Sequence, residues 1–507
     1  MVHFLLSLLL LNAFYHMGCF FELCFLSKKS KNGILEKIVW GMTIAVMLQF
    51  ILLRLFSYPN PFVYYFWNAV VSGIALLSLV YLLKNRSIFI NKFFSYIRKK
   101  YEALIYHIVF VLAAAFVFFF HIGFLVFKKG GYFGWKFDYM DYFGNTLDTL
   151  MGLGATLRHV GFDLYSSISQ AYFDSYVTDF KFTYFASSLV LGVLLFLTIR
   201  KYFLTLKFNL RTSSYLSFLA YFWGPILLIT APILYASYRG YFFTGFQSSY
   251  WNPSFTLSMI YLIFCIIYFI QKRHLASATF LTLSFFMKPS GFFVLAPFFF
   301  LFYLYKLYRE KKLTHFYSLL ILLFPIAYYK LTSFLLSATG LLRVGKAKGE
   351  GGILINPFDV WLVRMKDTLL ADYSVSQVVL ITFILSFAGV ILIGIIKKLN
   401  WNDLKECEHK ELYLILGVSF IWAMISFFLF QQNTRSMYFP NFKWGQGHVS
   451  ALLIPLLFYE IYRFYGLLQK KTTIKKILLF MATILIVGFH IASGFFHFIT
   501  VAGGSLY

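Results

Sequence analysis

The chain has 507 residues, of which 60% are hydrophobic, 22% aromatic and 13% charged, with a net charge of +26 and a mean hydropathy of +0.75. A soluble domain of this length could not hide so much apolar surface, so a soluble globular protein is excluded. Nucleic acid is set aside as the partner of the positive charge, because the basic residues sit in short connectors where anionic lipid headgroups are the simpler contact.

A helix needs about 20 apolar residues to cross about 30 Å of hydrocarbon. Fourteen stretches are candidates, near 3–26, 38–56, 63–83, 103–127, 182–199, 213–236, 254–270, 275–287, 291–305, 316–337, 377–396, 412–430, 449–468 and 477–499. The expected fold is therefore an all-α polytopic membrane protein with about 14 transmembrane helices. The first run, Phe4 to Leu26, lacks a basic leader and is followed by Lys28, Lys29 and Lys31, so it reads as an uncleaved first span. The two runs around Lys288 are short and read as a tilted or re-entrant pair.

Connectors at 27–37, 84–102, 200–211, 271–274, 306–312, 397–411 and 463–476 hold 29 of the 45 lysines and arginines, which assigns them to the cytoplasm. Alternation then places 57–62, 128–181, 237–253, 287–290, 338–376 and 431–448 on the opposite side, with both termini. Cys19, Cys24 and Cys265 lie in spans and Cys407 in a connector, without CxxC spacing, so neither a disulfide framework nor a zinc site is expected. His107, His121, His490 and His497 are scattered along spans or their ends without ligand spacing and read as packed or interfacial residues.

Ten of the nineteen carboxylates fall in two outer loops, which marks those loops as the place to look for chemistry. The first holds Asp138, Asp141, Asp148, Asp163, Asp174 and Asp179, and the second Glu350, Asp359, Asp367 and Asp372. Only Glu22 and Glu460 lie within or at the end of an apolar run. Ion-coupled transporters and pumps usually carry ionisable groups near the midplane, so this scarcity counts against them. Asp138 and Asp141 follow a span directly and are flanked by Trp135, Tyr139 and Tyr142, which raises them above the other acids. The amphipathic stretch Phe143 to Val160 suits a helix lying in the headgroup plane beside them. The bland reading of these acids is solvation, and that of the aromatics is anchoring in the headgroups.

Further along come Tyr250-Trp251-Asn252-Pro253, then Met287-Lys288-Pro289-Ser290-Gly291 and Ala296-Pro297. Topology places Lys288 at the outer mouth of its hairpin, where an ammonium can clamp a phosphate. The competing account is a snorkelling lysine. Pro289 and Gly291 break the helix and free backbone amides that could also face an anion. Gly345 to Gly352 lacks the GxxxxGK[ST] pattern of a nucleotide loop and reads as a flap over the cavity or a plain linker.

In these residues the chain resembles the GT-C superfamily of polytopic glycosyltransferases that take a sugar from a polyprenyl phosphate carrier. The likeness rests on the Asp138-Tyr139-Met140-Asp141-Tyr142 loop, on Asn252-Pro253, and on the hairpin from Lys288-Pro289 to Pro297. It is nearest the mannosyltransferase-like branches and covers roughly residues 104 to 310. Two departures stand out: the acidic loop follows the fourth span instead of the first, and its acids form Asp-x-x-Asp.

The resemblance implies an extra N-terminal bundle over 1–103, a catalytic core over 104–310 including loop 128–181, and a C-terminal region over 311–507 with loops 338–376 and 431–448. It implies a hexosyltransferase of the cell envelope, acting with inversion on the extracytoplasmic face. Asp138 or Asp141 would be the general base, with Asp138 preferred. Lys288, Arg343 and Arg435 would hold the donor phosphate, with Lys346 and Lys348 as further cations. Trp135, Tyr142, Trp251 and Asn252 would contact sugar or acceptor. The expected partners are a polyprenyl-phosphate-linked sugar, a glycan, lipid or protein acceptor, and the bilayer. No cofactor is expected; a divalent metal is not required, though the Asp pair could hold one. Alternatives are a lipid-linked oligosaccharide polymerase or ligase and a lipid-linked saccharide transporter or flippase.

Overall fold

The computed structural model describes residues 2–25, 33–55, 61–127, 165, 168, 172, 180–224, 246, 253–338, 353–355, 389, 391, 409–432, 441–470 and 474–503. Thirteen helices are defined among them: α1 Val2–Phe25, α2 Ile34–Leu55, α3 Pro61–Lys84, α4 Arg86–Phe127, α5 Phe180–Thr205, α6 Leu210–Tyr221, α7 Pro253–Ile270, α8 His274–Met287, α9 Pro289–Glu310, α10 Leu313–Ala338, α11 Lys410–Leu429, α12 Asn441–Lys470 and α13 Ile474–Gly503. Within these residues β structure is confined to one ladder. In it β1 (Ile353–Ile355) runs antiparallel to β2 (Phe430–Gln432), pairing Ile353 with Gln432 and Ile355 with Phe430. Both strands fall at or beside segments that the charge alternation assigns to one side.

Among the described residues six helical windows are long and apolar enough to cross a membrane: Leu5–Cys24, Tyr65–Lys84, Tyr101–Phe119, Ser188–Thr205, Pro289–Glu310 and Ile477–Phe495. Ser254–Ile270, His274–Met287 and Leu313–Tyr328 are shorter apolar helices. The outward faces agree, since Leu76, Leu77, Leu79 and Val80 of α3 and Ile105, Val109, Leu112 and Phe116 of α4 are exposed. Such continuous apolar faces belong in lipid. The chain is a helical membrane protein.

Two compact units are distinct. The first contains α1 to α4, α5 up to Thr198 and the first turn of α7 up to Leu257. Its core is the α1–α2 crossing. A Cβ on Gly18 would lie 1.8 Å from the Lys37 carbonyl oxygen, and one on Gly41 would lie 1.6 Å from that of Phe14. Only glycine permits backbones to meet so closely, the same logic that drives small-residue packing in membranes. Glu22, for which the sequence suggests no role, pairs with Lys37 at 3.1 Å. Asn12 and His16 reach Ser78 on α3, and the Trp67 indole donates to Gln49 at 2.6 Å.

The second unit holds the remaining described residues. In it α8, α9 and α10 pack on one another, α9 also packs on α11 and α12, and α12 contacts α6, α11, α13 and β2. Its basic turns share a device. Lys207, Lys272 and Lys311 adopt positive φ of 70°, 60° and 52°. After α5 and α7 the hydrogen bonds from Phe208 to Phe203, Lys207 to Leu204, Arg273 to Tyr268 and Lys272 to Phe269 form Schellman closures. Glycine usually fills that position, and a left-handed lysine costs about 1 kcal/mol or more. A cation at a helix C-terminus offsets part of this through the macrodipole.

Between α7, α8 and α9 lies an aromatic layer, in which the Phe280 ring meets Tyr261, Phe264 and Tyr268 at 5.7, 5.4 and 5.3 Å. Phe269 adds contacts to Phe299 and Phe302. Elsewhere in the unit His490 of α13 is fully buried, stacks on Trp223 at 4.3 Å, accepts from the Gly389 amide at 3.1 Å and bonds the Gly224 carbonyl. It is a packed structural histidine.

Three segments differ from the sequence reading. The basic stretch 84–102 is mostly helix, so α4 runs 42 residues, about 63 Å of continuous helix. The span at 213–236 begins as α6 but closes at Tyr221, ahead of Gly224-Pro225. The outer segment 431–448 is helical from Asn441 onward, because glycines and buried polar residues there depress hydropathy without ending the helix.

Candidate functional site

Of the residues singled out in the sequence, Asp138, Asp141, Trp135, Tyr142, Trp251, Asn252, Arg343 and Arg435 lie outside the described residues. The flap reading of Gly345 to Gly352 also lies there. Lys288 is described, and the site is built from it.

Lys288 closes α8 and opens α9. Its extended backbone, φ −157° and ψ 110°, follows from Pro289, whose ring bars the helical conformation at the preceding residue. Proline then suits the first helical position, where no amide is needed. The Lys288 amide still donates to the Ser284 carbonyl at 2.9 Å, so α8 is completed before the chain breaks. The lysine is only 4% exposed and its side chain makes no capping bond to α9.

The break lies against the interiors of neighbouring helices. With 14 residues α8 is about 21 Å long, short of the hydrocarbon thickness of about 30 Å. Its neighbours agree in depth. A Cβ on Gly291 would meet Leu262 Cδ1 at 2.7 Å and His448 Cγ at 3.0 Å. Leu262 and His448 are about 13 Å and 10 Å along their helices from Pro253 and Asn441. Lys288 thus occupies the tip of the α8–α9 hairpin and is buried there among neighbouring helices.

Two walls flank the break. One is aromatic: Phe285 meets Phe292 and Phe293 at 5.3 and 5.7 Å, and Phe286 meets Tyr328 at 5.2 Å. The other is the start of α12, where Gln446 and His448 are fully buried and Ser450 nearly so. Gln446 donates to the Ser450 hydroxyl at 2.7 Å. A Cβ on Gly445 would strike Val294 Cγ2 at 2.4 Å and approach the Ser290 carbonyl oxygen at 3.1 Å, so glycine there lets α12 lie against α9. The sequence reading missed Gln446 and His448. The signal available was Trp444-Gly445-Gln446-Gly447-His448, small residues alternating with polar ones, which suits a helix interface as well as a loop.

At the other ends of these helices the charges satisfy one another. Lys306 of α9 bridges Glu310 at 3.1 Å and Glu411 of α11 at 3.0 Å. Glu310 also holds Lys312 at 2.9 Å and His315 of α10 at 3.3 Å. The Tyr303 hydroxyl donates to the His274 carbonyl at 3.2 Å. Among the described residues no group of three or more His, Cys, Asp or Glu side chains could hold a metal ion.

These features define a helical integral membrane protein with a lysine buried at a break between two helices. The chain was compared with protein-family models, curated proteins and solved structures, and none of them matches it.

Proposed function

We propose that the chain is a GT-C-type membrane glycosyltransferase of about fourteen spans, which moves a sugar from a polyprenyl phosphate to an acceptor on the extracytoplasmic face. The observation that carries the reading is the burial of Lys288 at the Pro289 break. A buried ammonium is costly in a membrane interior and usually serves a function. A lipid monophosphate leaving an anomeric carbon supplies the matching charge. The aromatic wall at Phe285, Phe292 and Phe293 suits the apolar start of a polyprenyl chain. Asp138 or Asp141 would take the acceptor proton as its oxygen attacks the sugar. The ion pairs that join α9, α10 and α11 at their basic ends favour an enzyme served from one side over an alternating-access carrier.

The test is transfer of labelled sugar from a panel of polyprenyl-phosphate sugars to extracted membrane glycans, with wild type beside Asp138→Asn and Asp141→Asn. The expected result is transfer by wild type and a loss of about a hundredfold or more in one folded variant. Equal rates in all three proteins would remove both acids from the chemistry. No transfer from any donor would remove the glycosyltransferase.

A further inference from the structure

We infer that His448 on α12 is a second donor to the lipid phosphate held by Lys288, so that the binding site spans two elements 160 residues apart in sequence. The inference rests on the proposed function for the identity of the lipid, and on packing for the site itself. Gly445 leaves room for Val294 of α9 and Gly291 leaves room for the His448 ring, so α9 and α12 interlock here and the ring lies against the first turn of α9. That turn is where helix amides lack intrahelical partners. The Ser290 hydroxyl, in the same turn, is shielded from solvent and has no hydrogen-bond partner. Lys288 directly precedes this turn, and its side chain does not cap the helix.

The residues at this turn or against it supply an ammonium, an imidazole, a hydroxyl and backbone amides. The ammonium and the amides only donate, and the imidazole and hydroxyl can, which favours an oxyanion over a metal cation. Gln446, fully buried two residues before His448, is held by Ser450 and fixes the polar register of α12 at the site. A histidine and a glutamine buried together in a membrane helix are expensive to keep for packing alone, since leucine would fill the same space more cheaply.

The experiment measures binding of a polyprenyl monophosphate to the purified full-length protein in nanodiscs. The uncharged polyprenol and inorganic phosphate serve as comparison ligands. His448→Leu is expected to weaken the lipid phosphate about tenfold or more, with polyprenol binding unchanged. His448→Gln, which keeps a donor, is expected to recover most of the loss. Thermal unfolding of each variant separates a binding effect from a folding one. Wild-type affinity in a folded His448→Leu protein would overturn the inference and leave the glycosyltransferase reading standing. Equal affinity of the wild type for polyprenol and polyprenyl phosphate would also overturn it. Binding of inorganic phosphate with no advantage for the lipid would remove the lipid as the ligand. Conversely, a phosphate-selective loss in His448→Leu, beside a wild type that transfers no sugar, would sustain the site and overturn the enzyme.

Discussion

The two ends of the α8–α9 hairpin handle charge in opposite ways. At the basic end Lys306, Glu310, Lys312, His315 and Glu411 form one network, in which Glu310 alone engages two lysines and a histidine. At the other end Lys288 is buried at a proline break, beside the start of α12, where Gln446, His448 and Ser450 are buried. The first arrangement ties helix ends together at the membrane border, where water lowers the cost of each charge. The second keeps a cation buried in the protein, and in the proposed function it would meet a lipid phosphate there. A sequence with the same number of lysines could serve either purpose, and burial decides which.

Three substitutions test this contrast. The largest effect is expected from Gly445→Val, because the added carbons would enter space held by Val294 and the Ser290 carbonyl. Overpacking there should cost about 3 kcal/mol and open the α9–α12 contact, read as a fall in thermal stability in detergent. Wild-type stability would mean that the two helices do not rely on the glycine. Next, Lys288→Met should weaken polyprenyl phosphate binding about tenfold or more. Stability should hold or rise, since an apolar chain of similar length removes a buried charge. A large loss of stability would show that Lys288 serves the fold. The smallest effect is expected from Lys306→Met, which removes the bridge to Glu411 at the cost of about 1 kcal/mol. Its lipid binding should match wild type, and a loss of binding there would erase the distinction between the two ends.

Much of the helical architecture was legible in hydropathy, and the reasons for the exceptions are local. The ends of α1, α2, α3, α7, α8 and α10 fall within a few residues of the apolar runs. At α4 the basic residues from Arg86 to Lys100 read as a connector, yet lysine and arginine are good helix formers and the helix passes through them. At α12 the glycines and polar residues from Trp444 to His448 read as a loop, because hydropathy cannot tell solvent exposure from burial against another helix. Lys288 was legible through Pro289 and Gly291, which are neighbours in sequence. His448 was not, because its nearness to Gly291 arises only when α12 packs on α9.

The aromatic layer around Phe280 has a further consequence. It lies about 12 Å from Lys288 along α8, between that residue and the charged network at the far end of the hairpin. In the proposed function a phosphate bound at Lys288 would bring water and ions with it, and so thin the electrical barrier of the membrane at that spot. The tilted, closely packed rings of Tyr261, Phe264, Tyr268 and Phe280 present mostly apolar carbon, with two phenol hydroxyls as their polar groups. On the proposed reading this layer would insulate a solvated phosphate site from the far end of the hairpin and so preserve the membrane potential.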